Sequence, residues 1–265
     1  MKRKLFVSSI ALMAALLVVT PALAITFGEL DGNRHPNVGA LLVAWPYPDG
    51  PIDVVCSGTL ISPTVFLTAA HCVNWLPPAG VPEHDVYVTF DSVYKIGESA
   101  IYRGTYHVNP NYGHDQGDAN DVAVVVLDEP IEGTTPAVLP SAGLLDQMKA
   151  DGALKGQPFV AVGYGTVRSD KTGGPHSLYW EGARRVATGT YNALTQSWLK
   201  ISMNPSTGDG GTCYGDSGGP HFLGDTGMVV SLTVTGDANC RATDVTYRLD
   251  TESARSYLAE FVTLP

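Results

Sequence analysis

The amino-acid sequence predicts an all-β protein, folded as an antiparallel barrel or sandwich. Short stretches rich in Val, Leu, Phe and Tyr recur along the chain, and clusters of turn-forming residues separate them. Gly and Pro are abundant, at 29 and 18 of 265 residues, and helix signals are few, which argues against repeated βαβ units. With 44% hydrophobic and 16% charged residues, the composition excludes collagen, a coiled coil and a multispanning membrane protein.

Residues 1–24 have the pattern of a secretory signal peptide. Basic residues at 2–4 precede a mostly apolar run at 5–19, and the segment ends in small residues at Ala22 and Ala24. The apolar run is shorter than the ~20 residues that span a bilayer, so export is favoured over a membrane anchor. We expect cleavage after Ala24 and a secreted, extracellular protein without membrane contact.

The exported part is acidic. The whole chain carries a net charge of −10, and residues 1–24 hold three of its 16 basic residues and none of its 26 acidic ones. Because a phosphate backbone binds Lys and Arg, nucleic acid is excluded as a partner.

Eight strands and two helices are predicted. The strand segments alternate or are wholly apolar, and they lie at 38–45, 59–67, 85–90, 122–127, 157–162, 198–203, 228–234 and 245–249. One short helix is predicted at 141–150, within a seam at 132–155 that divides two similar halves. A second is predicted at 251–263, where Thr251 caps it and one face is apolar. That face holds Ala254, Tyr257, Leu258, Phe261 and Val262.

Four cysteines lie in the exported part: Cys56, Cys72, Cys213 and Cys240. An even count in an oxidising compartment predicts two disulfides, and the chain has no Cys-x-x-Cys pair to suggest zinc. The spacing leaves all three possible pairings open.

The strongest chemical signal is Ser217, in the segment Gly215-Asp216-Ser217-Gly218-Gly219-Pro220. Small neighbours let a substrate approach a nucleophilic hydroxyl, and a tight turn can aim two backbone N–H groups at an oxyanion. Alone, the segment is also consistent with an ordinary glycine-rich turn.

Two other residues supply what such a hydroxyl needs. His71 ends an apolar strand in Thr68-Ala69-Ala70-His71-Cys72, and Asp121 begins another in Asn120-Asp121-Val122-Ala123-Val124. A serine hydroxyl requires an imidazole base near neutral pH, and that imidazole requires a carboxylate to orient it.

In these motifs and their order, the chain resembles the trypsin- and chymotrypsin-like serine peptidases, a two-barrel family. Ile25-Thr26-Phe27-Gly28 resembles the family's mature N-terminus, and Gly163-Tyr164-Gly165 its Gly-Trp-Gly turn. The matching segments are 25–28, 68–72, 120–127, 163–165, 215–220 and 231–233.

The resemblance implies two antiparallel six-stranded β-barrels and a C-terminal helix in one peptidase domain over 25–265. The barrels would cover about 25–140 and 150–249, with the helix at about 251–263.

The resemblance also implies the roles of single residues. Ser217 would be the nucleophile, His71 the general base and then acid, and Asp121 the orienting carboxylate. The backbone N–H groups of Gly215 and Ser217 would form the oxyanion hole, and Ser231 would support Asp121.

Outside the catalytic triad of Ser217, His71 and Asp121, the resemblance implies the disulfide pairs Cys56–Cys72 and Cys213–Cys240. After cleavage, the new ammonium of Ile25 would pair with Asp216.

The specificity residues implied by the resemblance are Gly211, Ser231, Leu232 and Thr233. Gly211 stands where trypsins carry an aspartate at the pocket floor, which predicts cleavage after small or medium apolar residues. The alternative is Asp244, because a one-residue shift would point its carboxylate into the pocket and favour Lys or Arg.

The sequence disfavours two alternative functions. An esterase of the α/β-hydrolase class would need an acid and then a histidine after the serine, an order that this chain lacks. A protease-like binding protein without activity would usually lack a triad residue or an oxyanion glycine, and here all are present. We therefore expect a monomeric serine endopeptidase without cofactor or metal, with protein or peptide substrates and a protein inhibitor as a candidate partner.

Overall fold

The first half of the chain forms a closed antiparallel barrel in the computed structural model, which describes residues 25–168 and 177–265. The predicted signal peptide lies outside the described residues, as does the turn that the cluster Thr172-Gly173-Gly174-Pro175 predicts from the sequence. Six of this half's strands, β2 to β7, close the barrel in the order β2-β3-β4-β7-β6-β5, and β5 pairs with β2. The strands are β1 (Glu29–Leu30), β2 (Val38–Ala44), β3 (Ile52–Ser62), β4 (Val65–Thr68), β5 (Val86–Thr89), β6 (Tyr102–Val108) and β7 (Ala123–Leu127).

The second half forms a second six-stranded barrel. The strands of this half are β8 (Pro158–Gly163), β9 (Val167–Arg168), β10 (Leu178–Tyr179), β11 (Arg185–Leu194), β12 (Trp198–Ser202), β13 (Pro220–Leu223), β14 (Val229–Gly236) and β15 (Thr243–Arg248). The order β11-β12-β15-β14-β13-β8 closes because β8 also pairs with β11, and β1 adds to β11. β9 and β10 form a separate pair. The predicted all-β double barrel is confirmed.

Strand β7 contributes side chains to two different cores, which explains why its residues are all apolar. Side chains alternate across a strand, so Val125 and Leu127 pack inside the first barrel. Val122, just before the strand, and Val124 belong to a core between the barrels, which includes Val162 of β8. Because both faces of this segment are buried, Asp121 at its start is held in a fixed position.

Three short helices complete the fold: α1 (Ala70–Val73), α2 (Leu144–Ala150) and α3 (Glu252–Leu258). The Thr251 side chain accepts a hydrogen bond from the backbone of Ala254, as predicted for the cap of α3. The helix is shorter than predicted, because it ends at Leu258 and a turn carries Phe261 against the core. None of the helices in the described part is long and apolar enough to cross a membrane.

Candidate active site

His71 lies on the one-turn helix α1, directly after strand β4. A disulfide between Cys56 and Cys72 fastens this helix to β3. The second disulfide joins Cys213 to Cys240 beside the serine turn, so the structure contains both pairs that the family resemblance implies. Each disulfide therefore restrains a segment next to one of the predicted catalytic residues.

Asp121 is in direct contact with His71. One of its carboxylate oxygens accepts the backbone N–H of His71 at 2.9 Å, and the other lies 2.8 Å from the ring Nδ1. Asp121 is only 2% exposed, whereas the ring of His71 is partly open to solvent. With a carboxylate at Nδ1, that nitrogen carries the proton, which leaves Nε2 free to accept one.

Ser217 lies on the turn between Cys213 and strand β13. The backbone N–H of Ser57 on β3 donates to the Ser217 carbonyl at 2.8 Å. An added Cβ on Gly218 would lie 2.7 Å from the backbone nitrogen of Ala69, so this turn packs on the segment that leads into His71. Within residues 25–168 and 177–265, the Ser217 hydroxyl has no hydrogen-bond partner, His71 included.

A hydrogen bond to the preceding residue orients the backbone at Gly215. The Tyr214 carbonyl accepts the N–H of Thr166 at 2.6 Å, and because a trans peptide points its C=O and N–H in opposite directions, the Gly215 N–H points away from Thr166. Gly215 has a φ of +94°, a conformation that favours glycine. No acceptor among the described residues takes the N–H groups of Gly215 and Ser217, so both are available to a ligand.

Asp216 is a fully buried carboxylate beneath this turn. Its oxygens accept the backbone N–H groups of Gly165 and Cys213, each at 2.8 Å, and burial raises its pKa to about 7. An added Cβ on Gly163 would lie 2.3 Å from an Asp216 oxygen, which explains the need for glycine there. In the described part of the chain, no cationic group pairs with Asp216.

Ile25 lies near the segment that precedes the Asp216 turn. It is 1% exposed, and its neighbour Thr26 accepts the backbone N–H of Gly211 at 3.0 Å. Gly211 precedes the Asp216 turn by five residues. The residue after the predicted new N-terminus therefore pairs with the segment that leads into this turn.

A cavity of about 390 Å³ opens beside Ser217 and contains a carboxylate. Asp244 lines it, accepts the backbone N–H of Thr212 at 3.0 Å and also accepts the Thr212 hydroxyl. Burial raises the pKa of Asp244 to about 6. An added Cβ on Gly211 would lie 2.5 Å from an Asp244 oxygen, so Gly211 leaves room for this carboxylate.

Three of the expectations drawn from the sequence are wrong. The expectation of a pocket without a carboxylate is wrong, because Asp244 lines it. Ser231 does not support Asp121; its hydroxyl accepts a hydrogen bond from Thr246 at 2.8 Å. Leu232 is buried in the core between the barrels, whereas Thr233 does line the cavity.

A second cavity, of about 670 Å³, extends from the His71 side of the site. Its lining was not predicted from the sequence, because no sequence pattern separates an aromatic residue that binds a ligand from one that packs in the core. His71 and Asp121 lie at one end, and the remaining lining includes Tyr112, His114, Trp198, Lys200 and Val234.

One group of metal-ligating residue types occurs in the described part, formed by Cys56, His71 and Cys72 within 4.8 Å of one another. Both sulfur atoms belong to the disulfide and cannot act as thiolate ligands. The group is therefore not a metal site.

Comparison with known proteins agrees with this geometry. A sequence model of the family described as Trypsin matches residues 34–255. Brachyurin of Leptuca pugilator is 31% identical over 248 residues, a match that covers 84% of this chain and 93% of brachyurin.

Proposed function

Because the chain belongs to the trypsin family of serine proteases, we propose that it is an active serine endopeptidase with Ser217 as nucleophile. The observation that carries the proposal is the double contact of Asp121 with His71, beside a turn that offers Ser217 and two free backbone N–H groups. A serine, an oriented imidazole and an oxyanion site are the components of acyl transfer.

The reaction proceeds in two halves. As the Ser217 Oγ attacks the scissile carbonyl carbon, its proton passes to Nε2 of His71, a contact that closes when substrate is bound. The resulting imidazolium is stabilised by Asp121. The oxyanion accepts the N–H groups of Gly215 and Ser217.

Collapse of this intermediate breaks the C–N bond. Nε2 of His71 gives its proton to the leaving amine, and the acyl group remains on Ser217. A water molecule then loses a proton to His71 as it attacks the ester carbonyl carbon. When this second intermediate collapses, the bond to Ser217 Oγ breaks and His71 gives the proton to that oxygen, which releases the acid and restores the hydroxyl.

The proposal is tested by hydrolysis of casein and of a chromogenic acyl reporter by the purified protein. We expect turnover that a serine-directed phosphonate stops irreversibly. A folded, correctly cleaved protein that hydrolyses neither substrate would contradict the proposal.

For substrate preference, we propose that the Asp244 carboxylate selects Lys and Arg side chains, in place of the apolar preference expected from Gly211. An apolar side chain in the cavity would cover a carboxylate without pairing it, which is unfavourable. A cationic side chain would pair with it, and the absence of a side chain at Gly211 leaves space for the approach.

Asp244→Ala should lower kcat/KM for substrates with Arg before the cleaved bond by about 100-fold, because a buried cation would lose its partner. Activity on a matched Leu substrate should be kept or increase, which serves as the internal control for folding. Asp225→Asn, which neutralises an exposed carboxylate outside the cavity, is the charge control.

The same pairing predicts a dependence on pH. Burial raises the pKa of Asp244 to about 6, so the free site gains its negative charge as the pH rises through that value. The ratio of Arg to Leu cleavage should increase between pH 5 and 7 and be constant in Asp244→Ala. Equal cleavage of both substrates by the wild-type protein at every pH would overturn this assignment.

We further propose export through the signal peptide at 1–24, with cleavage between Ala24 and Ile25. The two disulfides support this, since such bonds persist in oxidising compartments. N-terminal sequencing of the protein from the culture medium should begin at Ile25. A start elsewhere, or retention inside the cell, would contradict it.

A further inference from the structure

We propose that Ser57 is a positioning residue that holds the oxyanion-binding turn in its active shape, an inference that rests on the proposed peptidase function. Ser57 lies on β3 of the first barrel and is fully buried. Its hydroxyl donates to the Gly215 carbonyl at 3.0 Å and accepts the Tyr164 N–H at 2.9 Å. Its backbone N–H donates to the Ser217 carbonyl at 2.8 Å.

These contacts fix both residues that supply the oxyanion donors. Gly215 has a positive φ and no side chain, so its own backbone does little to restrict the orientation of the peptide groups beside it. A bond to its carbonyl holds the peptide that joins it to Asp216. Bonds from Ser57 therefore restrain the turn at two points, one on each side of Asp216.

A serine hydroxyl suits this position because it has one donor and can also accept. Without it, the Gly215 carbonyl and the Tyr164 N–H would both be buried without this partner. Close packing restrains the hydroxyl: a Cβ on Gly163 would lie 3.0 Å from the Ser57 Oγ, and one on Gly219 would lie 3.2 Å from its Cβ.

The other partner of the hydroxyl is itself rigid. Tyr164 is completely buried, and its phenol donates to the Asp91 carbonyl at 2.8 Å. Arg184, also completely buried, donates to the same phenol oxygen at 3.2 Å and to Asp31 at 2.9 Å. Through its hydroxyl, Ser57 thus connects the oxyanion turn to the rigidly held Tyr164.

Ser57 is also linked to the segment that carries His71. Its carbonyl accepts the Thr68 hydroxyl at 2.8 Å, and the preceding Cys56 is bonded to Cys72. One residue therefore connects the base-bearing segment of the first barrel with the nucleophile turn of the second.

The test compares Ser57→Ala with Thr59→Val in the mature enzyme. Thr59 is a buried residue of the same strand whose hydroxyl donates to the Asn37 carbonyl at 3.1 Å, away from the turn. We expect Ser57→Ala to lower kcat by about 10- to 100-fold with little change in KM, as for loss of part of an oxyanion site. Thr59→Val should keep kcat.

A second readout separates positioning from a loss of stability. A peptide aldehyde forms a tetrahedral adduct whose oxyanion occupies the site, so its inhibition constant should rise in Ser57→Ala by the factor lost in kcat. The dissociation constant of a cleaved product peptide should not change. Ser57→Gly also lacks the hydroxyl and should show the same pattern if the alanine variant does not fold.

Wild-type kcat and aldehyde affinity in either Ser57 variant would overturn the proposal, as would an equal kcat loss in Thr59→Val. These results leave the peptidase function intact. An inactive wild-type enzyme would instead defeat the proposed function itself, so the two failures are distinguishable.

Discussion

Ser217→Ala should lower kcat by about 10⁴-fold or more while the protein remains folded, because the acyl-enzyme can no longer form. His71→Ala and Asp121→Ala should each remove most of the rate as well. The three losses should not add, since the residues act as one unit: the double variant Ser217→Ala/His71→Ala should be no slower than Ser217→Ala alone.

The measurement is kcat on an acyl reporter, with circular dichroism to establish folding. Ser256→Ala, an exposed serine of α3, is the matched control and should keep full activity. Near wild-type turnover in Ser217→Ala would remove Ser217 from the mechanism.

Extending the chain before Ile25 should leave the enzyme folded but reduce its activity by about 10²–10³-fold. Asp216 is fully buried and has no cationic partner in the described part of the chain, and an unpaired buried charge costs about 3–5 kcal/mol. We propose that the free ammonium of Ile25 supplies that partner. Without it, the turn that carries Gly215 and Ser217 would lose its order.

A protein with one added Met provides the test, and removal of that Met by an aminopeptidase is the matched control. Activity should return when Ile25 becomes the first residue. Full activity with the Met in place would show that no free ammonium is needed at this position.

The pairing also predicts that the two forms respond to pH in different ranges and in different properties. In the mature enzyme, pairing with Asp216 would raise the pKa of the ammonium above its usual ~7.7–8.0, so we expect activity to fall only above that range. In the extended form, burial raises the pKa of Asp216 from 3.8 to about 7. The folded state then binds the proton more tightly than the unfolded state, so unfolding free energy should decrease as the pH rises between these values. The mature form should lack this contribution.

The double barrel and the approach of His71 to Asp121 were predicted from the sequence, but several strands were missed, among them β6 and β11, and β3 and β4 were merged into one predicted strand at 59–67. Both β6 and β11 contain an interior glycine, which weakens a strand pattern. In the structure an added Cβ on Gly104 would lie 2.7 Å from the Val126 carbonyl, and one on Gly189 would lie 2.4 Å from the Ser202 carbonyl. These glycines permit close approach of neighbouring strands, which no single segment reveals.

The strand register decides which side chains line the pocket. The N–H of Gly218 donates to the Thr233 carbonyl, and the N–H of Thr233 donates to the Gly219 carbonyl, so Val234 lines the groove with His71 and Asp121. Ser231 lies three residues before Val234, and a shift by an odd number of residues places a side chain on the opposite face of a strand. The same rule governs Asp244, whose direction follows from its pairing with Ile201 and Gly236.

The most direct test of the mechanism is to locate a covalent adduct on the mature enzyme. After treatment with a serine-directed phosphonate, intact mass spectrometry should show one adduct per chain, and peptide mapping should place it on Ser217. His71→Ala should react far more slowly, and Ser217→Ala should remain unmodified. An adduct on another residue, or an unreactive folded enzyme that begins at Ile25, would contradict the assignment of Ser217 as the nucleophile.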